Sequence, residues 1–217
     1  MPREPLRTIS WRPDGWQGHD TATLYRLDSG WEVSGAADAT LDVSDVLLSP
    51  EQAAFPTVQF QVAYTLIVDE RWQARTVRIQ LSSHTPKLKR DCTLSVNQHG
   101  AWKQKSGNMA PDLWFLTDIY GFALDITPAM RVQQVRGLNL EPGQEKEVEA
   151  VRLNLPDFTV DPVFVLLERT GETTYTCLET NGGLTLESQF TVDDLGLVVD
   201  QDGSWTRIAE AATAAGS

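Results

Sequence analysis

The sequence predicts an all-β protein made of antiparallel strands, and three observations carry that reading. Apolar and polar residues alternate along most of the chain, turn-forming residues interrupt the alternation at short intervals, and helical spacing is confined to short pieces. In VQFQVAYTLIVD, Val58, Phe60, Val62, Tyr64, Leu66 and Val68 fall on one face, with Gln59, Gln61, Ala63 and Thr65 on the other. A strand buried on one side and wetted on the other has this pattern.

After a short connection at Asp69-Glu70-Arg71, the alternation resumes in ARTVRIQLS, so the two segments read as a hairpin. Strict alternation places Arg75 on the face of Val77, Ile79 and Leu81, and Thr76, Arg78 and Gln80 on the other. CTLSV then leads into the turn Asn97-Gln98-His99-Gly100, after which Ala101-Trp102-Lys103 re-enters the sheet. In the second half, Glu141-Pro142-Gly143-Gln144 is a turn, and EVEAVRLNLP puts Val151, Leu153 and Leu155 on one face. Val163 to Leu167 is apolar on both faces, as a central strand would be. TTYTCLE, LTLESQFTVD and GLVVD follow, separated by Asn181-Gly182-Gly183 and Asp194-Leu195-Gly196.

Two short helical pieces are expected, around residues 44–54 and 111–115. Residues 1–8 are expected to form a mobile arm, and 210–217 to fray because small residues supply no packing bulk. That leaves 9–209 as a single β domain with few short helices. LSVNQHGAW at 94–102 and LVVDQDGSW at 197–205 echo each other, with Asn97 against Asp200. A fainter echo sets Val68-Asp69 before Trp72 and Arg75 beside Val199-Asp200 before Trp205 and Arg207. Either recurring hairpin grammar or a duplication, with halves of about 9–108 and 109–209, accounts for both.

Composition narrows the function. The net charge of −12 is one-sided: residues 1–108 carry 12 basic and 12 acidic side chains, and 109–217 carry 6 and 18. Such a surface repels a phosphate backbone, so nucleic acid is not an expected partner. Lys87, Lys89 and Arg90 read as a solvated loop. There is no run of 18 apolar residues to form a transmembrane segment, and MPREPLRTISWRPDG lacks the apolar block of a signal peptide. A cytoplasmic location is therefore expected, with Cys92 and Cys177 as free thiols. With His19, His84 and His99 scattered, no metal site or cofactor is expected.

No catalytic constellation stands out, because GxSxG and glycine-rich phosphate loops are both missing. A carboxylate-dependent hydrolase would need residues such as Asp69, Asp118 or Asp125 to converge in one cleft. Arg75, Arg136 and Arg207 each form either a structural ion pair, with Asp69 the partner for Arg75, or a contact to a polar ligand.

YTLIVDERWQARTVRI, with Tyr64, Asp69, Trp72, Arg75 and Val77, begins a set of motifs that runs on to the chain's end. Thr127-Pro128 is followed ten residues on by Leu138, and Phe190, Val192-Asp193, Gly196-Leu197-Val198, Asp200, Gly203, Trp205 and Arg207 close the set. From about Trp11 to Arg207 the chain resembles the bacterial family of putative glycolipid-binding proteins. It departs from the family's central motif at Arg131, Gln134 and Gly137, where an Asn, a Pro and a second Arg are usual, and Gln201 stands where a Tyr is usual.

The resemblance implies a curved antiparallel sheet forming an open half-barrel of two similar halves. It also implies a glycolipid or acyl-chain ligand held without catalysis. With the alternating aromatics and arginines, it nominates Tyr64, Trp72, Arg75, Tyr120, Phe122 and Arg136 as the ligand lining, and Asp69, Trp205 and Arg207 as structural. The rival reading is a module that pairs strand edges with a partner protein or with itself as a homodimer.

Overall fold

In the computed structural model, residues 3–14, 18–42, 57–85, 87–107 and 110–212 are described. The first part of the chain forms β1 (Arg3–Pro13), β2 (Asp20–Leu27), β3 (Gly30–Asp42), β4 (Thr57–Val68), β5 (Ala74–His84), β6 (Lys87–Val96), β7 (Ala101–Lys105) and β8 (Asp112–Thr117). The second part begins with β9 (Gly121–Ala123), a 3-10 turn (Pro128–Met130) and helix α1 (Arg131–Leu138). It continues with β10 (Glu145–Leu153), β11 (Val160–Arg169), β12 (Thr174–Asn181), β13 (Leu184–Val192), β14 (Val198–Gln201) and β15 (Trp205–Ala212). All these strands form one open sheet in the order β8 to β1, then β15 to β9, so β1 and β15 join the two parts and β8 and β9 are the ends. The pairs are antiparallel except β9 with β10.

The alternation in β4 is realised as read: Val58, Phe60, Val62, Tyr64, Leu66 and Val68 are all buried. They pack in a core with Trp11, Ile79 and Trp102, and against Phe122, Ala129, Met130 and Val132. The stretch between β9 and β10 thus fills the inside of the curved sheet. A smaller cluster sits under β11–β13, where Val163, Val165, Tyr175, Cys177 and Phe190 meet Val135 and Leu140 from that same stretch. Cys92 and Cys177 are free and buried.

Four expectations change. Residues 112–117 are strand β8, not part of a helix, because pairing with β7 (Ala101 opposite Thr117, Lys103 opposite Asp112) satisfies their backbone. A helix forms instead at Arg131–Leu138, after Thr127 Oγ1 accepts a hydrogen bond from Ala129 N and Pro128 sets the first turn. The piece at 44–54 lies outside the described residues. From Arg3 onward the expected mobile arm is strand β1, paired with β2 from Arg3 opposite Leu27, and β15 runs on to Ala212.

The fourth change concerns Arg75. Val68 pairs with Ala74 but Ile67 pairs with Thr76, so one residue of β5 bulges out of register. The bulge reverses the parity: Ala74 is buried and Arg75 is exposed.

Candidate functional site

The residues expected to line a ligand are dispersed. Tyr64 is buried, and its ring lies against Gly35 on the opposite strand, where a Cβ would come within 2.4 Å of Tyr64 Oη. Its hydroxyl donates to the Asp20 carboxylate (2.7 Å to Oδ1), and Thr127 Oγ1 donates to Asp20 Oδ2 at 2.5 Å. Burial pushes the Asp20 carboxyl up to about 7 despite these hydrogen bonds.

Trp72, Tyr120 and Arg136 come together beside Asp69 and Arg75. Trp72 stacks on Trp31 with ring centroids 4.8 Å apart, and the Arg136 guanidinium lies 6.0 Å from the Trp72 ring. Gly137 permits this packing, since a Cβ there would lie 1.7 Å from Tyr120 Oη. Burial raises the Tyr120 hydroxyl to about 12, and it has no hydrogen-bond partner among the described residues. Gln133 ties the cluster together, donating to Trp72 O at 2.9 Å and accepting from Phe122 N at 3.3 Å. This is a packed junction between the β4–β5 turn and the helix.

The turn at Asp69 has two relatives. Asp69 Oδ1 accepts from the backbone N–H of Arg71 and Gln73, Asn97 Oδ1 from His99 and Ala101, and Asp193 Oδ1 from Leu195 and Leu197. The fourth residue of each has positive φ: Trp72 at 62°, Gly100 at 76° and Gly196 at 81°. Arg75 donates to Asp69 Oδ2, as Arg207 does to Asp193 Oδ2. By turn geometry the counterpart of Asp69 is therefore Asp193, not Asp200. Burial alone would raise the Asp69 carboxyl, but Arg75 and the turn N–H groups hold it below its ordinary range. Arg207 also donates to Leu197 O and Val198 O, which makes it a brace for the last hairpins.

Phe122 and Trp205 line a different place, a cavity of about 350 Å³ between residues 122–134, the β12–β13 hairpin and the β14–β15 turn. Phe122, Leu124, Met130 and Trp205 form its apolar wall. On the polar side, Arg131 and Arg152 each bond one oxygen of the buried Glu179, and Arg152 Nε lies 3.7 Å from Asp125 at the rim. Burial would raise the Glu179 carboxyl, but the two arginines reverse this and hold it below its ordinary value. The hydrogen bonds of Arg131 to Gln134, Cys177 and Glu179 all leave from Nη1. Its Nε and Nη2 are left without partners among the described residues, on a side chain that lines the cavity.

On the hairpin side the cavity is lined by Leu186, with Leu184 two residues before it on β13. Leu186 pairs with Glu179 and Leu184 with Asn181, so both leucines face the interior side of the sheet. They are nonetheless 53% and 65% exposed.

Sequence reasoning had not placed Asp20, Thr127, Arg152, Glu179, Leu184 or Leu186 in a site. One signal was available: Glu179 shares strand parity with Tyr175 and Cys177, and Asp20 with Ala22 and Leu24, so each is an acid on an apolar face. Asp69, Asp118 and Asp125 lie in separate surroundings: Asp69 on Arg75, Asp118 at the Gly100 turn, Asp125 at the cavity rim. Among the described residues, no group of three or more His, Cys, Asp or Glu side chains could hold a metal ion. No described helix is long and apolar enough to cross a membrane.

No curated protein matches the chain. Its fold is similar to that of a DUF1089 family protein from Pseudomonas aeruginosa, at 19% identity and TM-score 0.68 over 91% of this chain and 95% of that one. It is also similar to a β-barrel-like protein of the domain of unknown function DUF1849 from Brucella abortus, at 10% identity and TM-score 0.60 over 98% and 100%. The family model described as putative glycolipid-binding matches residues 8–207. With that match spanning nearly all of the curved sheet and its filling segment, the chain belongs to the putative glycolipid-binding family.

Proposed function

We propose that the protein binds an amphipathic ligand without chemistry, the head group in the Glu179–Arg131 cavity and the apolar part over Leu184 and Leu186. The observation that carries this reading is the pair of inward-facing leucines, uncovered beside a cavity whose far wall is charged. Covering such side chains recovers about 25 cal/mol per Å² of apolar surface. The unpartnered Arg131 N–H groups suit an oxygen-rich head group, because a planar guanidinium presents several donors in fixed directions. A cavity of about 350 Å³ is near the lower end for small-molecule sites, so it accommodates a head group and leaves an acyl chain on the lip.

Native mass spectrometry of the purified chain, before and after incubation with mixed bacterial lipids, tests the reading and reports any homodimer. The expected result is a stoichiometric lipid adduct that is lost in Leu186→Asp, whose melting temperature stays close to that of the parent. An apo mass throughout would overturn it, and an apo dimer would favour self-association through strand edges.

A further inference from the structure

Three large apolar side chains gather at one corner of the β11–β13 strands: Phe164 midway along β11, and Leu184 and Leu186 at the tip of the β12–β13 hairpin. Phe164 pairs with Thr180, which pairs in turn with Thr185, so Phe164 stands on the outer face while the leucines stand on the inner one. Leu184 to Glu187 are all exposed, and on the β14–β15 side the hairpin runs on past the neighbouring turn, whose Asp202 N–H bonds Gln189 O. The tip, TNGGLTL over 180–186, carries no charged residue in a chain of net charge −12.

We propose that this corner docks on the surface of an electrically neutral, zwitterionic lipid layer, with the hairpin tip entering the head-group region. A protein partner lying on one face of the hairpin would leave the apolar side chains of the other face in water. A lipid interface can meet the apolar side chains of both faces at once. The nearby charges select the lipid: Glu149 pairs with Phe164 across the sheet, and Glu187 follows Leu186. Both are carboxylates, which anionic head groups repel. Leu186 also lines the cavity, so a docked tip puts the mouth at the lipid surface, where a ligand can enter without crossing water. That last step rests on the binding function proposed above; the docking itself does not.

Flotation of the full chain with phosphatidylcholine vesicles tests the docking, with vesicles of equal parts phosphatidylcholine and phosphatidylglycerol alongside. The wild type should float with the neutral vesicles and less with the anionic ones. The double variant Leu184→Asp/Leu186→Asp should lose roughly tenfold in bound fraction, and Phe164→Asp alone several-fold. Melting curves of the variants confirm that they fold. A wild type that stays in solution, binds anionic vesicles alone, or floats no better than the Asp variants overturns the proposal. So does a dimer by light scattering that the same substitutions dissolve, because the corner would then belong to a second copy. Vesicle binding without a co-purifying lipid would sink the ligand reading and leave the docking standing; a stoichiometric lipid without vesicle binding would do the reverse.

Discussion

In the half of the sheet built from β1–β8, the buried Asp20 carboxyl is held by the hydroxyls of Tyr64 and Thr127, with no basic side chain bonded to it among the described residues. In the half built from β9–β15, the buried Glu179 carboxyl sits between Arg131 and Arg152. The two groups are similarly shielded from water, at 0% and 7% exposure, yet their acidities move in opposite directions. Depth alone therefore does not set the charge state. A carboxylate remains ionised inside the fold where cations are supplied, and cations with spare donors need a polar cavity beside them. The Asp20 site is closed and bonded by hydroxyls, whereas the Glu179 site is charged and opens toward the Leu184–Leu186 lip.

The largest expected effect breaks the charged half. Glu179→Gln keeps the side-chain shape but leaves the part-buried Arg131 and the buried Arg152 short of counter-charge. Among the described residues only the rim carboxylate of Asp125, 3.7 Å from Arg152 Nε, remains, so the change should cost about 3–5 kcal/mol in urea denaturation. The matching change in the neutral half, Tyr64→Phe, removes one donor and should cost about 1–3 kcal/mol. Equal losses would mean that the charges at Glu179 are solvated, and the contrast between the halves would collapse.

A pH series sharpens the comparison with a somewhat smaller effect. For Asp20 the folded state keeps a proton, up to about 7, that the unfolded chain releases near the ordinary value of 3.8. Stability from this group is therefore greatest at low pH, falls as pH rises from about 4 to 7, and is flat above. Glu179 has the opposite sign: its contribution is present above its ordinary value of 4.5 and fades as pH falls through its lowered folded value. Denaturation between pH 4 and 8 should show the wild type losing about 2–4 kcal/mol relative to Asp20→Asn. A pH-independent difference would show that Asp20 is ionised throughout, with the Tyr64 and Thr127 hydroxyls sufficient to hold the charge.

How legible these halves were in the sequence follows from how local each determinant is. The β4 alternation is local, and Val58 to Val68 fall on the face it names. Arg75 was misplaced because a single bulged residue reverses parity, and nothing in ARTVRIQLS marks the bulge. The helix at Arg131–Leu138 was missed because its apolar positions, Val132, Val135 and Leu138, span barely two turns, and what fixes them is burial inside the curved sheet. The family resemblance, with the alternating aromatics and arginines, nominated Trp72, Tyr120 and Arg136 as ligand lining. The structure groups them in a packed junction, while Arg131, which departs from the family pattern, lines the cavity. Glu179 was readable from parity, but its two arginines come from distant segments and were not.

The smallest expected effect bears on the openness of the second half. Leu66 and Leu184 both sit on the inner face of the sheet, but Leu66 is 0% exposed and Leu184 is 65% exposed. Leu66→Ala should cost about 2–5 kcal/mol, through lost transfer energy and the cavity left behind. Leu184→Ala removes the same atoms from a position that the described residues leave largely uncovered, so its stability should stay within about 0.5 kcal/mol of the parent. Thermal melts of the two variants side by side separate the cases. If Leu184→Ala melts as early as Leu66→Ala, the lip is covered in solution by the chain itself or by a second copy, and the contrast in exposure between the two leucines disappears. If it melts with the parent but takes up less lipid, the leucine contributes to binding while adding little to the fold, as a surface kept open for a ligand would.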